Sequence, residues 1–373
     1  MPLTTCQWRP SMAELPEAKQ FVGLHARHMG FTPAFIDDVL GRIKTLDGEG
    51  AGSWVDEWSA KAKAEADAGE HLKAANLYNL ARFPAADNDA KRLAGKACSE
   101  NFAVWMKAAN VGERRKINVG NAALTILFSP AKKKQAPLVI LMGGIVSLKE
   151  QWGSFLKLGR KIGAAVAIAD FPGMGENTLT YDRSAADLYG AIMAAVAGEC
   201  DISRTLVVAP SFGGYLAVLH SLKNPRIQGV VTVGAPLRSF FLDPVAKAGM
   251  PAISRFALSI ALGCEKEKVD DALSALALST GELKSVSVPL HYVAALEDEI
   301  IPSSEWTDAQ QLVPQFHLHA FKDVHGAPNH LIETRLLILS ILLQHTGRAI
   351  LSRFITQILR FRLRFAAPRL RPS

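Results

Sequence analysis

Cysteine is scarce in this sequence of 373 residues, and its body carries neither a long apolar run nor an excess charge of one sign. The four cysteines, Cys6, Cys98, Cys200 and Cys264, lie far apart and make no CxxC pair. That spacing excludes the usual zinc motifs and a disulfide framework, and it suits a reducing compartment. No stretch reaches the ~18 uninterrupted apolar residues of a membrane span. The opening segment, MPLTTCQWRPSMAEL, has no basic stretch followed by an apolar run, so no secretory signal is expected and the expected location is the cytoplasm. The formal net charge of +7 is concentrated in one place. From Gly347 onward there are seven arginines and no lysine or acid, which leaves 35 basic against 35 acidic residues elsewhere. A neutral body of this kind offers no broad basic field for nucleic acid.

Helical periodicity dominates residues 1–112. In FTPAFIDDVLGRIKTL, for example, Phe35, Val39 and Ile43 recur at helical spacing. The pattern changes at Lys116. KINV and ALTILF flank Gly120-Asn121, a hairpin signal. The lysine run 132–134 reads as a solvated loop. PLVILMGG then begins a series of β-rich runs, AAVAIAD, TLVVAP, GVVTVGA, LHYVAAL and FHLHAF, most of them separated by helical patterns. That alternation predicts an α/β domain over residues 113–346, a mostly parallel sheet with helices on both faces. Residues 238–284 interrupt it with helix-like segments, expected as a lid over the carboxyl ends of the strands. Phe240, Phe241, Phe256, Leu258 and Ile260 in that insertion read mostly as core.

The strongest local signal is TLVVAPSFGGYLAVLHSL. A nucleophilic serine on a tight strand-to-helix turn needs small neighbours on either side, because the backbones crowd there. Ala209 and Gly213 supply them around Ser211, with Ala209 in place of the first glycine of GxSxG. The alternative is a serine that merely caps the helix. α/β-Hydrolases place the acid and then the histidine after the serine. Strand LHYVAAL ends in Glu297-Asp298-Glu299-Ile300-Ile301-Pro302, and the D-x-x-x-P spacing favours Asp298, with Glu297 and Glu299 solvated. After FHLHAF, the loop DVHGAPNH holds two histidines. His325 is the first candidate base and His330, at the start of the next helix, the reserve; His291, His317 and His319 read as surface residues. In that scheme His325 takes the Ser211 proton and Asp298 orients the ring. The oxyanion donors are expected from the backbone of Phe212 and of the Gly143-Gly144-Ile145 turn, so Gly144 and Ile145 join the site. The turn 170–176 reads as scaffolding.

GGIVSLKE, ADFPGMGE, APSFGG, ALEDEIIP and DVHGAPNH, in this order, resemble FrsA-like α/β-hydrolases, a group that includes the fungal yellowish-green pigment hydrolases and pseudooxynicotine C–C hydrolases. The likeness covers about residues 50–345. It implies an α/β-hydrolase fold with the preceding helices as part of a cap, and Ser211, Asp298 and His325 as triad. It implies ester or C–C cleavage beside a carbonyl in a polyketide-like or aromatic small molecule, or transfer of the acyl group, with no metal or organic cofactor. The pseudooxynicotine-type enzymes resemble GGLES at the oxyanion loop. Here Val146 replaces the carboxylate, and Glu150 lies four residues further on. A non-catalytic regulatory role on the same scaffold is the competing expectation.

The tail, 347–373, combines arginines with bulk. ILSRFITQIL is expected to present Ile350, Leu351, Phe354, Ile355, Ile358 and Leu359 on one helical face. Such a segment either docks on the domain or makes a weak contact with an anionic membrane surface. A homodimer through the cap helices is a further expectation.

Overall fold

The computed structural model describes residues 14–366. Five helices come first: α1 (Glu14–His28), α2 (Pro33–Arg42), α3 (Trp54–Asp67), α4 (His71–Ala81) and α5 (Asp89–Ala108). Their starts follow from side-chain caps. Thr32, Ser53 and Asn88 each accept a backbone N–H of the first turn of α2, α3 and α5, and Pro33 occupies the first turn of α2. These helices share a core of Val22, Ile36, Val39, Trp54, Trp58 and Leu80, which Ile253 from the insertion joins.

The sheet follows: β1 (Glu113–Val119), β2 (Ala122–Ser129), β3 (Pro137–Met142), β4 (Ala165–Ala169), β5 (Asp201–Val208), β6 (Ile227–Val233), β7 (Leu290–Ala295) and β8 (Phe316–Phe321). Their order is β1-β2-β4-β3-β5-β6-β7-β8. The hairpin β1–β2 and the β2–β4 pair are antiparallel, and every other pair is parallel. All residues of β3 and β4 are buried, as central strands covered on both faces must be. Along β3 the faces alternate. Leu138, Ile140 and Met142 pack into one core with Ile192 of α7 (Leu188–Val196) and Tyr215 of α8 (Phe212–Ser221). Val139 and Leu141 pack into the other with Leu156 of α6 (Ser154–Ile162) and Leu342 and Leu343 of α15 (Leu331–His345).

The insertion between β6 and β7 carries α9 (Ser239–Leu242), α10 (Pro244–Ala248), α11 (Ala252–Leu262), α12 (Val269–Ser274) and α13 (Thr280–Lys284). Its entry is pinned by buried Glu305, at the start of α14 (Ser303–Leu312), which accepts the backbone N–H groups of Arg238 and Phe240 at 2.9 and 2.8 Å. Phe240 and Phe241 pack edge-on against Phe212, and Phe241 also against Tyr215. The insertion therefore braces the helix that follows Ser211. It also receives α1: Glu17 accepts the N–H groups of Ala252 and Ile253, the first residues of α11, at 3.3 and 2.7 Å.

The final helix α16 (Ala349–Ala366) lies against α15. Hydroxyls join the two, with Ser340 Oγ 3.0 Å from Ser352 Oγ and 2.7 Å from Thr356 Oγ1. The expected single apolar face is split. Leu359 is buried and Ile355 and Ile358 are half-buried, whereas Ile350, Leu351 and Phe354 are exposed. The run 350–359 contains more apolar residues than one docking stripe can cover. Cys6 and the terminal PRLRPS lie outside the described residues. Cys98, Cys200 and Cys264 are free thiols.

Candidate active site

Strand β5 ends at Val208, and the chain turns through Ala209 and Pro210 into α8. Ser211 sits on that turn with φ 54° and ψ −139°, a strained conformation for a residue with a side chain. Its N–H donates to Val233 O at 2.7 Å, and its carbonyl accepts from Gly214 N at 2.9 Å. These bonds tie the turn to β6 and to the start of α8. The crowding expected from the sequence is present. A Cβ on Gly213 would stand 2.9 Å from Gly143 O, and one on Gly214 would stand 2.3 Å from Thr232 Oγ1.

Ser211 Oγ lies 3.0 Å from His325 Nε2. On the other side of the ring, Nδ1 lies 3.0 and 2.9 Å from the two carboxylate oxygens of Asp298. Asp298 is oriented in turn by the N–H groups of Ile300 and Ile301, which donate to Oδ1 at 2.9 and 2.8 Å. The His325 backbone N–H donates to Glu299 Oε2 at 2.9 Å. Glu299 therefore holds the histidine loop while remaining exposed, and Glu297 pairs at the surface with Lys322. Burial alone would lower the pKa of His325, but the adjacent Asp298 carboxylate outweighs it and raises the pKa above the ordinary 6.5.

His330 has a different setting. Its Nδ1 lies 2.8 Å from Asp323 Oδ2, and its ring stacks on Phe321 at 4.9 Å. Buried Asp323 also accepts the backbone N–H groups of Val324, Asn329 and His330 and the Asn329 side chain. This pair folds the loop that presents His325. His317 is exposed, as expected of a surface residue, whereas His291 and His319 are half-buried. They stack across β7 and β8, with His291 4.7 Å from His317 and 6.0 Å from His319.

Ser211 and His325 open into a cavity of about 660 Å³, also lined by Gly144, Ile145 and Phe212. Gly144 packs directly on the serine, where a Cβ would stand 3.1 Å from Ser211 Cβ. The outer wall differs from the expected lid. It is built from α1, the start of α4, the segment 150–158 and α15, with Ser254 as the contribution of the insertion to the lining. The reason is the position of the aromatic residues: Phe240, Phe241 and Phe256 are consumed in the core beside α8.

Two features of the site were absent from the sequence expectations. Gly234, after β6, has φ 58°, and a Cβ there would stand 3.0 Å from His325 Cε1 and 3.2 Å from Asp298 Oδ2. Helix α1 sends His25 and His28 into the cavity. Burial lowers both, to pKa values of about 3 at His25 and about 4 at His28, and the cationic Arg82 guanidinium adds to this at His25. Their i, i+3 spacing places them on one helical face, but spacing cannot say which face meets the sheet. Glu150 also reaches the cavity wall, although Oε1 is engaged by Ser99 at 3.0 Å and by Lys149 at 3.0 Å. Lys149 is itself bound to Asp170 at 2.8 Å, which makes the 170–176 turn a buried anchor of this segment.

A strand-to-helix serine, a histidine after the last strand and a carboxylate after the preceding one, on this sheet order, define an α/β-hydrolase. Within that class the chain belongs to the FrsA-like esterase family, and it is a hydrolase. The family profile described as Esterase FrsA-like matches residues 36–287, which includes Ser211 and ends before Asp298 and His325. The esterase FrsA of Vibrio cholerae is 25% identical over 309 residues, covering 69% of this chain and 72% of the relative. The esterase FrsA of Escherichia coli strain E24377A is 28% identical over 281 residues, covering 65% and 67%. Among solved structures, AbyA5 is similar with 33% identity, a TM-score of 0.88 and coverage of 92% of this chain and 99% of that one. A 2,6-dihydroxy-pseudo-oxynicotine hydrolase shares the fold at 19% identity, with a TM-score of 0.70 and coverage of 87% and 95%.

Proposed function

We propose that Ser211, His325 and Asp298 form the catalytic triad of a serine-dependent hydrolase acting through an acyl-enzyme. The substrate is a medium-sized, largely apolar small molecule, polyketide-like or aromatic, with an ester, thioester or ketone carbonyl. The observation that carries this reading is the continuous contact from Ser211 Oγ through His325 to Asp298 at the wall of a cavity of about 660 Å³. His325 accepts the proton of Ser211 Oγ as the oxygen attacks the carbonyl carbon. The N–H of Phe212, at the positive end of α8, and an N–H of the Gly144-Ile145 turn stabilise the oxyanion. Asp298 stabilises the imidazolium, which then protonates the leaving group. Water completes the cycle by attack on the acyl-enzyme, with His325 again as base. Cleavage of an activated ester or thioester is favoured over carboxylate-assisted C–C cleavage, because Val146 stands in the oxyanion loop where the pseudooxynicotine-type enzymes carry a carboxylate.

The test combines fluorophosphonate labelling with hydrolysis of p-nitrophenyl esters of increasing chain length. Labelling and turnover by the wild type, both lost in Ser211→Ala, are expected. Absence of labelling in the folded wild-type protein would instead leave a binding role on a hydrolase scaffold. Adding alcohol or thiol acceptors and analysing the products separates hydrolysis from acyl transfer.

A further inference from the structure

Two polar side chains from distant parts of the chain meet at the cavity wall. Gln151 Nε2 lies 3.5 Å from His25 Nδ1, and both residues line the cavity. Helix α1 also brings Phe21 and Leu24 to that cavity, so the pair is set in a largely apolar lining. Its hydrogen bonding is incomplete. Gln151 Oε1 is buried and makes no hydrogen bond among the described residues, and His25 Nε2 makes none either. A buried amide oxygen without a partner is costly, and folded proteins seldom keep one without a use. With a pKa of about 3, His25 carries a single ring proton at neutral pH, so one ring nitrogen donates and the other accepts. As the amide stands, its N–H donates to Nδ1, which puts the ring proton on Nε2. The free atoms are then a donor at His25 Nε2 and an acceptor at Gln151 Oε1. Turning the amide over exchanges the two roles and leaves His25 Nε2 as acceptor and the Gln151 N–H as donor. In both orientations the pair presents one neutral donor and one neutral acceptor. Arg82, whose charge bears on His25, gives its N–H groups to Asn79 Oδ1 and to the carbonyls of Pro84 and Val146, so it offers no competing site for an anion.

We infer that the His25–Gln151 pair is the subsite that receives a hydroxyl group of the substrate, whose O–H donates to one member while its oxygen accepts from the other. A carboxylate, a ketone or a methyl ether has acceptors only and would set one of them against the acceptor of the pair. The charge of His325 lowers the pKa of His25, so the pair stands within electrostatic reach of the triad. A hydroxyl held there fixes which end of an apolar molecule meets Ser211. The inference rests on the proposed function of the cavity as the substrate site, but it does not depend on the chemistry of Ser211.

The test is isothermal titration calorimetry at neutral pH with the Ser211→Ala protein. The probes are methyl naphthyl ketone, its monohydroxy isomers, and the matching methoxy and carboxylate compounds. At least one hydroxy isomer is expected to bind roughly 10-fold tighter than the parent ketone and tighter than its methoxy and carboxylate counterparts. Adding His25→Phe or Gln151→Met should bring that preference to within about two-fold while binding of the parent is retained. A purely structural role would weaken all the probes alike and leave the preference unchanged. Gln151 lies outside α1, so its variant keeps the test decisive if His25→Phe loosens that helix. The inference is overturned if no hydroxy isomer is preferred, if the methoxy or carboxylate compounds bind as tightly, or if the preference survives both substitutions. Absence of fluorophosphonate labelling in the wild type, with the hydroxyl preference intact, would instead sink the triad and leave the subsite standing.

Discussion

Two histidine–carboxylate pairs stand five residues apart in one loop and have nearly the same geometry. His325 Nδ1 lies 2.9 Å from Asp298, and His330 Nδ1 lies 2.8 Å from Asp323. Everything else about them differs. Asp298 comes from the neighbouring strand's loop, and the far nitrogen of His325 meets Ser211 Oγ in the cavity. Asp323 belongs to the same loop as His330, is satisfied by backbone N–H groups, and the ring of His330 is stacked on Phe321. A short imidazole–carboxylate contact is therefore no sign of a base. What sets His325 apart as the proposed base is the partner at its other ring nitrogen, Ser211 Oγ, and that this nitrogen faces the cavity.

Substitutions can break this comparison or sharpen it. The largest effect is expected from Ser211→Ala or His325→Ala, each lowering kcat for p-nitrophenyl esters by on the order of 10⁶. The paired acids should then separate. Asp298→Asn costs about 10⁴ in kcat through the wrong ring tautomer, whereas Asp323→Asn acts on the melting temperature. Comparable kcat losses in the two variants would sink the distinction between the pairs.

Gly234→Ala tests how closely the first pair is held. Its Cβ would press on the His325 ring and on Asp298, so a kcat loss on the order of 10² is expected with the protein still folded. A smaller effect should appear in the pH profile. The base must be neutral to act, and Asp298 raises the His325 pKa, so the acid limb of kcat/KM should lie above pH 6.5. Asp298→Asn should move that limb downward, and a limb that stays in place would exclude His325 as its source. The smallest effect on catalysis is expected for His330→Ala, with kcat within a few-fold of wild type and stability lower by about 1 kcal/mol.

Legibility in the sequence followed the range of the interactions. The elbow around Ser211 was readable because crowding there is local: Ala209, Gly213 and Gly214 must be small whatever lies beyond. The paired order of strands and acid–histidine loops was readable for the same reason, since buried strands need apolar runs and their ends need turns. The choice between His325 and His330 was open in the sequence, because both lie in the right loop and only the contact with β6 and α8 separates them. Gly234 looked like any strand-end glycine until the His325 ring was found against it.

The sequence alone therefore determined the α/β sheet, the serine turn and the neutral body with its basic end, because hydrophobic period, turn chemistry and charge are properties of short segments. The tertiary structure alone decided that α1, α4, the segment 150–158 and α15 wall the cavity while the insertion braces α8. It also brought His25 and His28 into the cavity onto which Ser211 opens. These are contacts between segments far apart in the chain, and their free energy depends on which faces meet, a quantity that no single segment encodes.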